Sequence, residues 1–344
     1  LADKILVSPI TVANGYSRTG TTNLSRKINL DKKTIDLIEA AIDRRKALKK
    51  ITNALRLVNG LGDALPGLVI EQYGDRCVIH LFDTQWIARK EALAEFIADR
   101  LGARYLIIKE RLDPQALKSE QINATVYIDQ VASRVVVREN GLHFGVDLND
   151  GLNSGLFLDM RRNRKIVAGL TKGLRVLNCF AYTCSFGVYA RTSGASSVVN
   201  VDISRKSLDR GRENYELNRL DCAEGEFVRA DALTYMKLGL KKGNRFGCVI
   251  LDPPSFARHG GKIFSVKKDF AVLIDTAMKI LEPGGVLLAA TNFSGLPHQA
   301  LEEMVVAGGR ERVKSIKQLG QDTDFRGSGR MPESYLAALL VTTR

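Results

Sequence analysis

From Asp150 onward the hydrophobic positions come in short β-rich runs, 175–179, 197–201, 226–229, 248–251, 285–291 and 335–342, with helical periods between them. Strands alternating with helices predict an α/β fold, a Rossmann-like, doubly wound and mostly parallel sheet. The pattern ahead of it differs. Ile35, Leu37, Ile38, Ala41, Ile42, Leu48 and Ile51 fall near the helical repeat and predict an amphipathic helix over about 31–55, with Arg44, Arg45, Lys46, Lys49 and Lys50 late in it. Runs at 56–59, 67–71 and 77–82, divided by Gly60, Gly62, Pro66 and a Tyr73-Gly74-Asp75 turn, predict a meander, followed by a helix over 85–101 and strands at 105–109, 125–128 and 133–138. On this pattern the chain divides into a basic arm and helix (1–54), a small α+β domain (55–145) and a larger α/β domain (146–344). Residues 1–30, rich in Ser, Thr, Asn and Gly, read as a loose arm.

Composition narrows the class. The 344 residues, 45% hydrophobic and 26% charged, exclude disorder as the main state, and no apolar run approaches the ~20 residues of a membrane span. The cytoplasm is the expected compartment. Cys77, Cys179, Cys184, Cys222 and Cys248 are odd in number and lack C-x-x-C spacing, so they read as free thiols rather than a disulfide framework or zinc ribbon. His80, His143, His259 and His298 are scattered, and no metal site is expected. The 51 basic against 38 acidic residues leave +13, the usual mark of a polyanionic partner such as RNA or DNA.

In doubly wound sheets ligands bind beyond the carboxyl ends of the strands. The run ending at Cys179 leads into Phe180-Ala-Tyr-Thr-Cys-Ser-Phe-Gly187, whose single glycine disfavours a dinucleotide, since pyrophosphate binding wants G-x-G-x-x-G. A cofactor without phosphates, such as S-adenosylmethionine, needs only backbone and hydroxyl contacts there, from Thr183 and Ser185. Asp202 ends the next run, where a carboxylate can accept both ribose hydroxyls, and Asp231, followed by Ala232, ends the third, facing an adenine amine. Leu251-Asp-Pro-Pro-Ser-Phe256 is the most specific string: two prolines after an acid make a rigid turn without amide donors, suited to a planar ring. Phe256 is a candidate to stack on a base, and Arg258-His-Gly-Gly-Lys262 reads as a substrate flap or a solvent loop.

Asn178-Cys-Phe-Ala-Tyr-Thr183, Val201-Asp-Ile-Ser204, Leu251-Asp-Pro-Pro-Ser-Phe256 and Leu281-Glu-Pro-Gly-Gly285 together resemble class I S-adenosylmethionine-dependent RNA methyltransferases, specifically the large-subunit ribosomal RNA group that includes cytosine-C5 and guanine-N7 enzymes. Asp150 to Arg164 and Asp63 to Asp75 resemble further segments of that group, from about residue 40 to the end. The resemblance implies S-adenosylmethionine as the cofactor, ribosomal RNA or a ribosomal particle as the partner, and a cofactor pocket of Phe157, Asp159, Arg161, Thr183, Ser185, Asp202, Ser204, Asp231, Ala232 and Asp252. It implies Asp252, Pro253 and Pro254 as the catalytic turn, with Ser255, Phe256, Lys262, Arg162 and Arg164 toward the substrate, and it matches Glu333 to a C-terminal motif. Residues 1–40 are too short for the PUA domain of many relatives, and Cys184 and Ser185 replace the usual paired glycines. Where cytosine-C5 relatives carry a cysteine after the fifth parallel strand, this chain has Phe293. The expectation therefore leans to guanine N7, with cytosine C5 or a non-catalytic RNA-binding module as alternatives.

Overall fold

The computed structural model describes residues 30–112, 123–151, 153–259, 262–327 and 335–344, together with a short strand at Thr11–Val12. The chain forms two compact units, Leu1–Leu158 with Thr323–Ser328, and Asp159–Asp322 with Gly329–Arg344.

In the first unit, β1 (Thr11–Val12) pairs in parallel with a later strand, so this part of the expected loose arm is an edge strand; the rest of 1–29 lies outside the described residues. Helix α1 (Lys32–Arg44) starts where Asp31 accepts the Thr34 N–H at 2.9 Å. It buries Ile38, Ala41 and Ile42 and stops well short of the predicted end. At Arg45 the guanidinium turns inward onto buried Asp63, and the chain tightens into a 3-10 turn at Lys46–Lys50. Strands β2 (Ala54–Asn59), β3 (Leu68–Tyr73) and β4 (Arg76–Leu81) form the expected meander. A 3-10 turn and α2 (Lys90–Leu101) lead to β5 (Tyr105–Glu110) and β6 (Asn123–Asp129), completing a sheet ordered β1-β6-β5-β4-β3-β2. The hairpin of β7 (Arg134–Glu139) and β8 (Leu142–Asp147) follows. A 3-10 turn at Thr323–Phe325 also belongs to this unit, with buried Asp324 accepting the Arg56 N–H at 3.1 Å.

The second unit opens on α3 (Arg161–Ala168) and then alternates: β9 (Arg175–Cys179), α4 (Ser185–Thr192), β10 (Ser197–Asp202), α5 (Arg205–Leu217), β11 (Phe227–Arg229), α6 (Ala232–Lys241) and β12 (Phe246–Leu251). A hairpin, β13 (Phe256–His259) with β14 (Lys262–Ser265), precedes α7 (Val266–Ile280), β15 (Leu281–Thr291), α8 (His298–Gly309), β16 (Val313–Leu319) and β17 (Ala337–Thr343). The sheet runs β11-β10-β9-β12-β15-β17-β16. Its first five strands are mutually parallel, and β17 is antiparallel to both neighbours. The chain builds outward from β9 to β11 and then returns to lay β12 on the other side of β9. This reversal opens the crevice in which such sheets bind ligands. Apolar residues of β12, α7, β15 and β17, among them Val249, Phe270, Ile274, Leu287 and Leu339, form the core that fixes these strand ends.

The lone glycine of the β9–α4 segment has a packing role. Asn178 Nδ2 donates to Asn200 Oδ1 at 2.9 Å, and Asn200 Nδ2 donates to the Tyr215 hydroxyl at 3.0 Å, in a buried chain beneath α4. A Cβ on Gly187 would overlap Asn200 Oδ1 and stand 2.8 Å from the Tyr215 hydroxyl. Gly187→Ala is therefore expected to destabilise the chain by about 1–3 kcal/mol, because these hydrogen-bonded groups cannot yield without losing partners. Urea unfolding of the two proteins checks this, and an unchanged midpoint contradicts it.

Candidate active site

Three acids stand at the carboxyl ends of parallel strands: those of β10 and β11, which are neighbours, and that of β12, on the far side of β9. Asp202 is the last residue of β10: its Oδ2 accepts the Tyr182 N–H and its Oδ1 the Ser204 N–H, each at 2.8 Å. It thereby ties the loop after β9 to the start of α5, where Ser204 caps the helix through the Ser207 N–H. The loop is unusual: Phe180, Tyr182 and Cys184 all have φ between 48° and 59°, a left-handed region disfavoured for side chains larger than glycine. Buried Asn214 holds it from α5, donating to the Thr183 carbonyl at 2.9 Å. Thr183 is buried and Ser185 half-buried at the first turn of α4.

Asp231 caps α6, its Oδ1 accepting both the N–H and the hydroxyl of Thr234 at 2.8 and 2.7 Å, while Ala232 is buried behind it. The cap and the ligand reading are compatible, since one carboxylate oxygen does the capping. Asp252 follows β12, half-buried, with Pro253 buried and Pro254 exposed. Burial lifts its carboxyl to about 7, with Asp159 adding to the rise and Arg164 opposing it.

The remaining expected residues divide. Arg161 is fully buried and donates to Asp322 at 3.2 Å, and Arg162 is exposed. Arg164 is only 1% exposed, with its guanidinium 6.0 Å from the Tyr189 ring centre. This corrects the expectation that it holds an RNA phosphate: it lies inside the unit and acts on Asp252 electrostatically. Phe157 falls in the first unit. The Arg258–Lys262 flap is an antiparallel hairpin, with Phe256 opposite Ser265 and Lys262 opposite His259; its tip, Gly260 and Gly261, lies outside the described residues, as does Glu333. Phe256 stands 47% exposed at the hairpin base, not packed under the sheet. Phe264, which the sequence reading did not single out, packs on Phe180 at 5.7 Å and joins hairpin to loop. Ser255 donates to Asn292 Oδ1 at 2.9 Å, bringing in a further unanticipated residue at the end of β15. No group of three or more His, Cys, Asp or Glu among the described residues could hold a metal ion, and no described helix is long and apolar enough to cross a membrane.

A family model described as S-adenosylmethionine-dependent methyltransferase matches residues 94–340. The chain belongs to this family. This methyltransferase is 36% identical over 300 residues to ribosomal RNA large subunit methyltransferase I of Aeromonas salmonicida, covering 84% of this chain and 74% of that protein. It is 31% identical over 294 residues to a ribosomal RNA large subunit methyltransferase of Deinococcus radiodurans, covering 82% and 71%. A methyltransferase structure solved with S-adenosylhomocysteine is 29% identical, with a TM-score of 0.81 over 92% of this chain and 83% of that one. S-adenosylmethionine is the cofactor of the family. The side chains suit it: carboxylates at successive strand ends match hydroxyl, amine and sulfonium groups, and no glycine cradle is spent on a pyrophosphate.

The raised carboxyl of this methyltransferase has a testable consequence. Between the ordinary 3.8 and about 7, folded Asp252 keeps a proton that the unfolded chain has released. Stability therefore falls as pH rises through that window, and the cost is complete above it. Asp252→Asn removes the charge at nearly constant shape and is expected to melt at a higher temperature than the parent near pH 8, but at the same temperature near pH 4. Thermal unfolding at both pH values decides; equal melting near pH 8 contradicts it.

Proposed function

We propose that this methyltransferase acts in the cytoplasm on a base of large-subunit ribosomal RNA, with guanine N7 as the target atom. The substrate class is supported by the names of the relatives and by the +13 charge. The atom rests on one observation, the absence of a usable thiol at the strand ends. Phe293 stands after β15, half-buried against the core. Cys184, the cysteine nearest the cofactor loop, is fully buried with its Sγ against Gly211, and burial pushes the thiol well above its ordinary range. Cys179 ends β9 but is fully buried, and Cys248 is buried within β12; burial pushes both thiols up, Cys248 to about 12. Cys77 is buried in the other unit, and exposed Cys222 follows α5.

Carbon 5 of cytosine reacts only after a thiolate has added to C6, and raised, buried thiols are poor nucleophiles. Guanine N7 carries a ring lone pair and needs positioning alone, at about 3–3.5 Å from the methyl carbon. Bound S-adenosylmethionine supplies an electrophilic sulfonium methyl. Around it, Asp202 and Asp231 hold the adenosine portion, and the Asp252-Pro253-Pro254 turn offers a rigid wall for the base. Exposed Phe256 provides a stacking face, and exposed Arg162 supplies positive charge for the backbone. Transfer of a tritiated methyl group to unmodified ribosomal RNA and large-subunit precursors, followed by nucleoside analysis, tests the reading. Labelled 7-methylguanosine is the expected product. Labelled 5-methylcytidine overturns the target atom, and cofactor binding without labelled RNA overturns the substrate class.

A further inference from the structure

The turn after β15 is built as tightly as the proline turn after β12. The two strands are parallel neighbours about 4.8 Å apart, with Leu251 opposite Ala289, so both turns leave the same sheet edge, the one after β15 two residues further along. Buried Thr291 accepts the Phe293 N–H through its hydroxyl at 3.1 Å, and the Phe293 carbonyl accepts the Leu296 N–H at 2.9 Å. Phe293 is drawn into the core, while Asn292, between these two anchored residues, is exposed. Its Oδ1 is taken by the Ser255 hydroxyl at 2.9 Å, which fixes the amide on the side of the Asp252–Ser255 turn. An amide has one acceptor and two donor hydrogens. With its oxygen held by Ser255, Asn292 keeps an N–H2 group that bonds to nothing among the described residues and is its ready donor to a ligand.

We infer that Asn292 is a specificity-determining residue of the target-base site, its amide N–H2 donating to O6 of guanine beside the reacting N7. The inference rests on the guanine reading above and adds to it the group that selects the base. Guanine presents O6 and N7 as adjacent acceptors, whereas adenine and cytosine present an exocyclic amine on the corresponding edge. A donor fixed at this position satisfies O6, but would face an amine donor to donor and leave both groups desolvated and unpaired. Asp252 on the adjoining strand end supplies the complementary acceptors for the N1–H and N2–H donors of guanine. Cytosine, with acceptors at O2 and N3, meets that carboxylate with the wrong pattern.

The test uses the full chain and a large-subunit ribosomal RNA fragment carrying the target nucleotide, made with either guanine or 2-aminopurine there; 2-aminopurine lacks O6 and the N1–H and keeps N7 and the N2 amine. Asn292→Ala is expected to lower kcat/KM on the guanine fragment about tenfold, the worth of one hydrogen bond of this kind. Asn292→Asp, which sets an acceptor against O6, is expected to lower it about a hundredfold. Both keep the parental melting temperature and S-adenosylmethionine affinity. On the 2-aminopurine fragment, where the N1–H that Asp252 accepts is missing too, the parent falls at least to the level of Asn292→Ala on guanine, and Asn292→Ala shows no further loss relative to the parent on that fragment, a pattern that a merely structural role would not produce. Formation of 7-methylguanosine by Asn292→Ala at the parental rate, or losses that multiply on 2-aminopurine, overturns this inference alone. A labelled nucleoside other than a methylguanosine overturns both the inference and the guanine reading.

Discussion

Asp202→Ala is expected to weaken S-adenosylmethionine binding about a hundredfold, a loss of about 2.7 kcal/mol, without unfolding the chain. The carboxylate acts on both sides. Toward the protein it holds the Tyr182 and Ser204 N–H groups, each at 2.8 Å, and the first of these bonds helps keep three non-glycine residues, Phe180, Tyr182 and Cys184, at positive φ. Left-handed backbone costs about 1–2 kcal/mol per residue and persists only where the surroundings over-determine it. Toward the cofactor, the lone pairs that remain match a ribose diol. Burial raises the carboxyl above its usual value, so the anion is incompletely solvated and gains from each added donor. Asn at this position replaces one acceptor oxygen with an N–H2 that must face either Tyr182 N–H or Ser204 N–H, and is expected to bind as weakly as Ala. Titration calorimetry with S-adenosylmethionine and S-adenosylhomocysteine measures the effect; parental affinity in both variants would remove Asp202 from the cofactor site.

The strand ends were legible because a buried parallel strand is a short apolar run, and the polar residue that ends it stands at a fixed place relative to the ligand crevice. Asp202, Asp231 and Asp252 could be found that way, as could the order of the runs that make β9 to β12. What was not legible depended on contacts distant in sequence. Nothing around Asn200 and Tyr215 announces that they meet under Gly187, so the glycine read as a missing cradle when it is a packing requirement. Nothing along the chain singles out Asn292; its place emerges only when Ser255, in the turn after β12, engages its oxygen. The Gly-rich stretch before Lys262 has the composition of a loop, yet Phe264 packing on Phe180 gives the hairpin a seat. Charge misled most. Arg45 and Arg164 are long cations in basic runs, which a one-dimensional reading assigns to solvent or phosphate, and both are inside their units.

The cost of that burial makes Asp63→Ala the substitution with the largest expected effect on stability, about 3–5 kcal/mol. Asp63 is 3% exposed and Arg45 1%, and their pairing is bidentate, Nη1 to Oδ1 at 2.7 Å and Nη2 to Oδ2 at 2.6 Å. Arg44 adds a third donor at 2.7 Å and the Asn59 N–H a fourth at 2.7 Å. Arg45 also donates to the carbonyls of Ala41 and Asp324, so one guanidinium joins α1, the turn after β2 and the 323–325 segment. Burial by itself pushes the Asp63 carboxyl up, but the hydrogen bonds from Arg45 and Arg44 outweigh it and hold the group below its ordinary value. Its contribution is therefore present above the unfolded value of 3.8 and is lost as pH falls through the lower folded one. Removing the carboxylate strands Arg45 in the interior with no counter-charge, which costs far more than the pair gains over an apolar one. Lys46, whose bond to Asp43 is exposed on both sides, is the control: Lys46→Ala is expected to stay within about 0.5 kcal/mol of the parent. Urea unfolding at pH 7 should separate the two variants by several kcal/mol, and as the pH falls below 3.8 and through the lowered folded value the parent should approach Asp63→Ala as its own carboxylate is protonated. Equal midpoints at pH 7 would mean that Arg45 finds another anion, and that the kink ending α1 is held by something other than Asp63.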